Sequence, residues 1–315
     1  MLRLSLEALQ IIDTVDRLGS FAAASKEIHR VPSTISYTVS KLEEDMGVLI
    51  FERAGSRLTL TPAGNELLKE GRHLLKAAED LATRVRRVAT GWETRFTIGM
   101  DTLFAPIALA DDVKAFYQVA DRTHLRFMQE TLSGTWEALL ERRADLLIGA
   151  SGQGPSGGGY IVEPMGSLRF VFAVAPSHPL AGLARPIGKS ELYEHRTVAV
   201  ADSARTLPVR TIGLIFGQET ITVPDIRCKL DFQLAGIGGG FLPEPCARHA
   251  IATGRLIEKQ VEEPKPDETY YLAWRTDDNG NALKWWLDRM RRENALEHLL
   301  QYVSGASQEM IPPLA

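Results

Sequence analysis

Between Ser20 and Gly47 the sequence is punctuated so closely that only two short helices joined by a tight turn fit. Ser20 is placed as an N-cap, its hydroxyl free to take an amide of the turn that follows, and Phe21 to Ile28 is Ala-rich and helix-favouring. His29-Arg30-Val31 interrupts the run, and Pro32 restarts a helix at its first position, where a missing N–H costs nothing. Ile35, Val39 and Leu42 recur at i, i+4 and i+7, which buries one face. Gly47 then ends the helix as a C′ glycine does. This is the helix-turn-helix arrangement, in which the second helix enters the DNA major groove.

The face of that helix left to solvent carries Ser33, Thr34, Ser36, Tyr37, Ser40 and Lys41. Short hydroxyls stand near its N-terminus, where base edges are read, with an aromatic and a cation further along. Arg53, Arg57 and the alternation Arg57-Leu58-Thr59-Leu60-Thr61 predict a small β-wing reaching phosphates or the minor groove. Spacing alone leaves a second reading open, a three-helix interaction module with a solvated polar face.

The same stretch resembles the winged helix-turn-helix of LysR-type transcriptional regulators. The matching residues are Phe21-Ala22-Ala23-Ala24, Pro32-Ser33, Ile35-Ser36, Lys41-Leu42-Glu43-Glu44, Gly47-Val48, Phe51-Glu52-Arg53 and Leu60-Thr61-Pro62-Ala63-Gly64. Two positions depart from the family pattern, which usually has Gln where Val31 stands and often Arg where Tyr37 stands. The local version Arg30-Val31-Pro32-Ser33 followed by Ser36-Tyr37-Thr38 is similar to a subgroup containing the allantoin-pathway activator and a purine-nucleoside regulator. The resemblance implies DNA contacts from Arg30, Pro32, Ser33, Thr34, Ser36, Tyr37, Lys41, Arg53 and Arg57.

Charge adds little to this. Residues through 91 hold 13 Lys and Arg against 12 Asp and Glu, in a chain of formal net charge −4, so attraction to phosphate rests on local placement of Arg30, Lys41, Arg53 and Arg57. At 315 residues and 44% apolar composition the chain suffices for two or three ordinary cores. No apolar run reaches the roughly 18 residues of a membrane span. The opening MLRLSLEALQIIDTV carries Glu7 and Asp13, which argues against a signal-peptide core and points to the cytoplasm. Cys228 and Cys246 are too few for a disulfide framework, and read as two reduced residues in or near the core or, alternatively, as a redox pair.

Residues 4–17 predict a first helix with Leu6, Leu9, Ile12 and Val15 on one stripe. After the wing, Thr61-Pro62 starts a helix that runs to Gly91, roughly 43 Å at 1.5 Å per residue. Along it Leu67, Gly71, Leu74, Ala78, Leu81, Val85 and Val88 step by four and three, a heptad pattern that asks for a partner helix. From Arg95 short strands alternate with helices, an α/β pattern with mostly parallel sheets expected. The chain is expected to leave a first sheet near Pro164 and to return with Tyr270-Tyr271-Leu272-Ala273-Trp274-Arg275, giving two lobes with a cleft, similar to periplasmic binding proteins. Ala175-Pro176-Ser177-His178-Pro179-Leu180-Ala181 and Leu272-Ala273-Trp274-Arg275 also resemble the LysR effector domain. The expected organisation is a winged helix-turn-helix over 1–61, a linker and dimerisation helix over 62–91, and an effector-binding domain over 92–315. Its first lobe would take 92–165 and 267–303, its second 166–266.

Enzyme signals fail on inspection. Gly152-Gln153-Gly154-Pro155-Ser156-Gly157 matches G-x-G-x-x-G in letters only, since Pro155 and further glycines make it a loop. Neither a phosphate-cradling lysine loop, H-E-x-x-H, paired Cys-x-x-Cys nor a G-x-S-x-G elbow occurs, so no catalysis, metal site or cofactor is expected. Polar loops at the C-terminal ends of strands remain, where open α/β sheets bind ligands. Met100-Asp101-Thr102, Thr131-Leu132-Ser133-Gly134 and Asp202-Ser203-Ala204-Arg205-Thr206 are those loops. Family effector contacts carried onto them fall on Thr102, Ser133, Asp202 and Ser203, and Asp101 and Thr131 complete the candidate set. Helix capping is the competing reading for Ser133 and Ser203. Asp101 and Asp202 together favour a neutral, donor-rich ligand such as a ureide or purine over a plain carboxylate. Trp136 reads as packing. The chain is thus expected to be a cytoplasmic LysR-type regulator with partners double-stranded DNA, a small-molecule effector and itself, as a dimer through the linker helix within a tetramer. The alternative is a cytosolic small-molecule-binding protein whose N-terminal module mediates protein contacts.

Overall fold

The computed structural model describes residues 4–54, 57–211, 213, 215 and 217–301, without the side chains of Ala54, Arg57, Thr83, Arg84, Arg86, Arg87, Val88 and Thr90. The Arg57 and Val88 side chains and residues 302–315 of the expected last domain therefore lie outside the described residues. The chain divides into two compact units, 1–89 and 90–315.

In the first unit, α1 (Leu6–Leu18) is capped by Ser5 and ends on Gly19 in the left-handed region. Leu9, Ile12 and Val15 are buried with Ala8 and Ile11, whereas Leu6 is exposed and drops out of the expected stripe. Helix α2 (Phe21–Ile28) starts with Ser20 Oγ accepting from Ala23 N at 3.1 Å. Helix α3 (Pro32–Met46) has proline at its first turn and Gly47 at φ 67°. Ile35, Val39 and Leu42 of α3 pack with Ile11, Ile12 and Val15 in one core. Strands β1 (Phe51–Ala54) and β2 (Arg57–Leu60) form the antiparallel wing, with Arg53 opposite Leu58. Thr61 then caps α4 (Pro62–Thr90): its hydroxyl accepts from Gly64 N at 3.0 Å and donates to Leu49 O at 2.6 Å. Gly64 is required there, because a Cβ would stand 2.1 Å from the Ile50 carbonyl oxygen. On α4, Leu68 is buried and Gly71 meets Leu9, but Leu74, Leu81 and Val85 are exposed.

The second unit holds two lobes. Strands β3 (Arg95–Asp101), β4 (His124–Glu130) and β5 (Leu146–Ser151) are parallel, with α5 (Ala110–Tyr117) and α6 (Ser133–Leu140) between them. Strand β6 (Tyr160–Leu168) lies at the sheet edge, and the chain passes directly into β7 (Phe170–Val174) of the second lobe. There follow α7 (Lys189–Tyr193), β8 (Thr197–Val200), β9 (Thr220–Val223), α8 (Ile226–Leu234), β10 (Gly240–Pro243), α9 (Glu244–Ala252) and β11 (Ile257–Lys259). Strand β12 (Glu268–Arg275) returns to the first sheet, whose order is β4-β3-β5-β12-β6, and α10 (Asn281–Met290) and α11 (Ala295–Leu300) finish the lobe.

Two expectations are corrected. The sheets are mixed rather than mostly parallel, because β12 runs antiparallel to β5 and β6, and β10 and β11 antiparallel to β7. The exit from the first sheet comes after Leu168 rather than near Pro164. Pro164 and Gly166 break the strand pattern in the sequence, yet an edge strand tolerates a proline, and the register shift beside Tyr270 and Tyr271 absorbs one residue here.

A reading helix and an interlobe cleft as candidate functional sites

Helix α3 presents a polar face because its apolar residues are spent on the core. Pro32, Ser33, Thr34, Tyr37 and Ser40 are exposed, and Ser36 and Lys41 half-buried. Tyr37 is 69% exposed, which is high for a large aromatic ring and leaves it free to be covered by something else. No side chain caps the N-terminus of α3, since Val31 occupies that position. An open helix start carries partial positive charge suited to phosphate. Arg30 is paired loosely with Glu7 at 3.4 Å, both exposed, and Lys41 with Glu44 at 2.6 Å. Pairs of that kind exchange readily for stronger anions. Arg53 is exposed on the wing.

In the second unit the candidate loops separate into two groups. Asp101, Thr102 and Thr131 line a cavity of about 50 Å³, walled by Leu103, Leu132, Phe170, Val200, Phe241 and Tyr270. That is room for a few water molecules. Asp101 lies at the end of β3 and accepts from Leu103 N at 2.9 Å and Leu132 N at 3.4 Å. Burial outweighs those hydrogen bonds and pushes its carboxyl up to about 6. Leu132 itself sits at φ 51°, a strained backbone for a branched side chain, at the corner where β4 turns into α6.

Ser133, Asp202 and Ser203 belong to a second network that joins the lobes. The Asp202 carboxylate accepts from Ser133 N at 3.2 Å and Gly134 N at 3.1 Å, taking the start of α6, and from Ala204 N and Arg210 N of its own loop at 2.9 and 2.7 Å. Ser203 Oγ accepts from Thr131 N at 2.9 Å and donates to Glu130 at 2.5 Å. Thr131 Oγ1 donates to Ala201 O at 2.7 Å, and Ser133 Oγ to Pro208 O at 3.1 Å. Gly134 permits this approach, since a Cβ would lie 2.0 Å from Ser203 Oγ. The expectation of a neutral, donor-rich ligand rested on Asp101 and Asp202 together; Asp101 lines the cavity, whereas the Asp202 oxygens are spent on four amides.

Residues that the sequence reading passed over complete both groups. Glu137, buried on α6, accepts from the amides of Arg205, Thr206 and Leu207 and from the Thr206 hydroxyl at 2.5–3.1 Å. Burial alone would raise its carboxyl, but these donors win and hold it at about 2. Arg210 reaches across to Ser151 O and Glu268, both at 2.9 Å. In the cavity wall stands Lys229 of α8, 4% exposed, whose ammonium burial, with repulsion from Lys265, lowers to about 7. Ser151 also lines the cavity, and its buried hydroxyl makes no hydrogen bond. The signal for Glu137 was its place four residues after Ser133 on a helix with no polar face; Lys229 gave none. Trp136 is packing, 2% exposed and stacked near Tyr160. Cys228 and Cys246 are free, and burial raises the Cys246 thiol. Among the described residues no three His, Cys, Asp or Glu side chains are grouped to hold a metal, and no helix is long and apolar enough to cross a membrane.

Residues 6–65 match the bacterial regulatory helix-turn-helix protein, lysR family, and residues 89–295 match the LysR substrate binding domain. The HTH-type transcriptional regulator YeeY of Escherichia coli K12 is 37% identical over 291 residues, 92% of this chain and 94% of its own. PunR of the same organism, also an HTH-type transcriptional regulator, is 36% identical over 281 residues, 89% and 91% of the two chains. Full-length CbnR, solved with its target DNA, has the same fold at TM-score 0.55 and 18% identity, over 94% of this chain and 99% of that one. The chain therefore belongs to the LysR family, as a DNA-binding transcriptional regulator with an effector-binding domain.

Proposed function

We propose that α3 reads operator DNA through Ser33, Thr34, Ser36 and Tyr37, with Pro32 setting the helix start. Arg30, Lys41, Arg53 and Arg57 hold phosphates on either side. The observation that carries this is the solvent-facing polar row of α3 beside a two-stranded wing, with Tyr37 left uncovered. Asp101, Thr102 and Thr131 contact a small effector in the cleft, while Ser133, Asp202 and Ser203 close the lobes over it. An effector shifts the regulator only by binding one lobe arrangement better than another. Leu74, Leu81 and Val85, apolar and exposed along α4, support a dimer through this helix, within a larger homo-oligomer. Two copies of α3 then face two half-sites of an operator. The protein works in the cytoplasm and carries out no catalysis. The division into 1–61, 62–91 and 92–315 follows these roles. Gel shift of the full chain with its own upstream DNA tests the reading: specific retardation at physiological salt supports it, and equal affinity for random DNA refutes it.

A further inference from the structure

The cavity holds a cation that the rest of the protein does not use. Lys229 extends from the middle of α8 into the wall, and among the described residues no oxygen accepts from its ammonium. Its Nζ lies 3.3 Å from where a Cβ on Gly240 would stand, so the glycine leaves it room on β10. Burying an unpaired ammonium is costly, and a methionine would fill the same space without that cost. The charge that bears on Lys229 is another cation, Lys265, itself held by Glu268 at 2.9 Å. Ser151, which lines the same cavity, keeps an unpaired hydroxyl, and the rings of Phe170, Phe241 and Tyr270 form part of its wall.

Resting on the proposal that the cleft holds the effector, we infer that the effector is a small organic acid whose carboxylate pairs with Lys229. The acid lies with its apolar body against the three rings, and Ser151 and Asp101 are among the polar side chains of the lining that can meet a further polar group on it. The cavity, about 50 Å³, suits a small acid. Pairing restores the protonated lysine that burial disfavours, so the ligand supplies what the fold leaves out. The anion seat at the start of α6 is taken by Asp202, which directs a free carboxylate to Lys229 instead.

The test uses the full chain with propionate, butyrate and 3-hydroxybutyrate, each beside its amide, followed by thermal shift and calorimetry. At least one acid is expected to bind ten times more tightly than its amide, and Lys229→Met to lose that preference. The variant should melt, ligand-free, at or above the wild-type temperature. Amides binding as well as acids, an inert panel, or a variant that keeps the acid preference overturns the inference. A variant melting lower than wild type makes Lys229 a structural residue and overturns it too. Failure of the wild type to bind its upstream DNA is a separate result, which defeats the regulator reading without touching the acid preference.

Discussion

Glu137→Gln removes one charge and no volume from the network that joins the lobes. The Glu137 carboxylate takes hydrogen bonds from three consecutive amides and one hydroxyl, and its carboxyl is held at about 2 instead of 4.5. A depression of that size is worth about 3 kcal/mol at neutral pH, at roughly 1.36 kcal/mol per unit. The folded-state value lies below the unfolded one, so this stabilisation is complete above about pH 4.5 and disappears as pH falls through about 2. Glutamine in its place keeps one acceptor and turns an NH₂ toward N–H donors, so the loss at pH 7 approaches the full value. The direct assay is hydrogen exchange of the Arg205, Thr206 and Leu207 amides in the full chain. In the variant they should exchange about a hundredfold faster at pH 7, and the gap should narrow steadily between pH 4.5 and 2. Exchange within threefold of wild type at pH 7, or a gap of equal size at low pH, would show that Glu137 does not hold the lobes.

Tyr37→Ala or Ser36→Ala should cost about 1–3 kcal/mol of specific operator binding with little change on random DNA, measured by competition gel shift. Arg53→Ala should weaken both and reduce the slope of log affinity against log salt by about one; equal losses on all DNA for the three variants would refute the division of roles. Leu81→Asp puts a charge on the exposed apolar row of α4 and should give monomers by light scattering, and a variant that stays dimeric removes α4 from the interface. Gly64→Ala drives a Cβ into the Ile50 carbonyl and should destabilise the first unit by about 1–3 kcal/mol in urea titration, where an unchanged midpoint would contradict the tight approach.

The first unit was legible because its boundaries are chemical: a serine cap, a proline start and a glycine stop each act within one turn of where they stand. The same holds for β3, β5 and β12, whose apolar runs are largely buried on both faces. Strand β6 was hidden by Pro164, Gly166 and a largely solvent-facing side, all of which an edge strand accepts. The cavity loops were found from strand ends, but the partners of their side chains were not. Asp202 and Ser203 stand in the sequence as loop residues after a strand, and nothing there shows that Gly134 admits them against the start of α6. Glu137 and Lys229 are charged residues on helices, which in a sequence reads as solvent exposure. Only the packing of two lobes shows both to be buried.

The hydrogen bonds between the lobes come largely from one segment, residues 201–210, while the cavity is lined from other elements, with Thr131 and Ser151 common to both. Resting equilibrium and ligand choice are thereby written in nearly separate residues. When only a fraction of molecules is competent to bind, the apparent dissociation constant rises by the reciprocal of that fraction, whatever the ligand. Substitutions within 201–210 consequently act as a gain control. On the proposed reading of the cleft they move the concentration at which the regulator responds, by a common factor for every ligand, and leave the ranking of ligands to Asp101, Ser151 and Lys229.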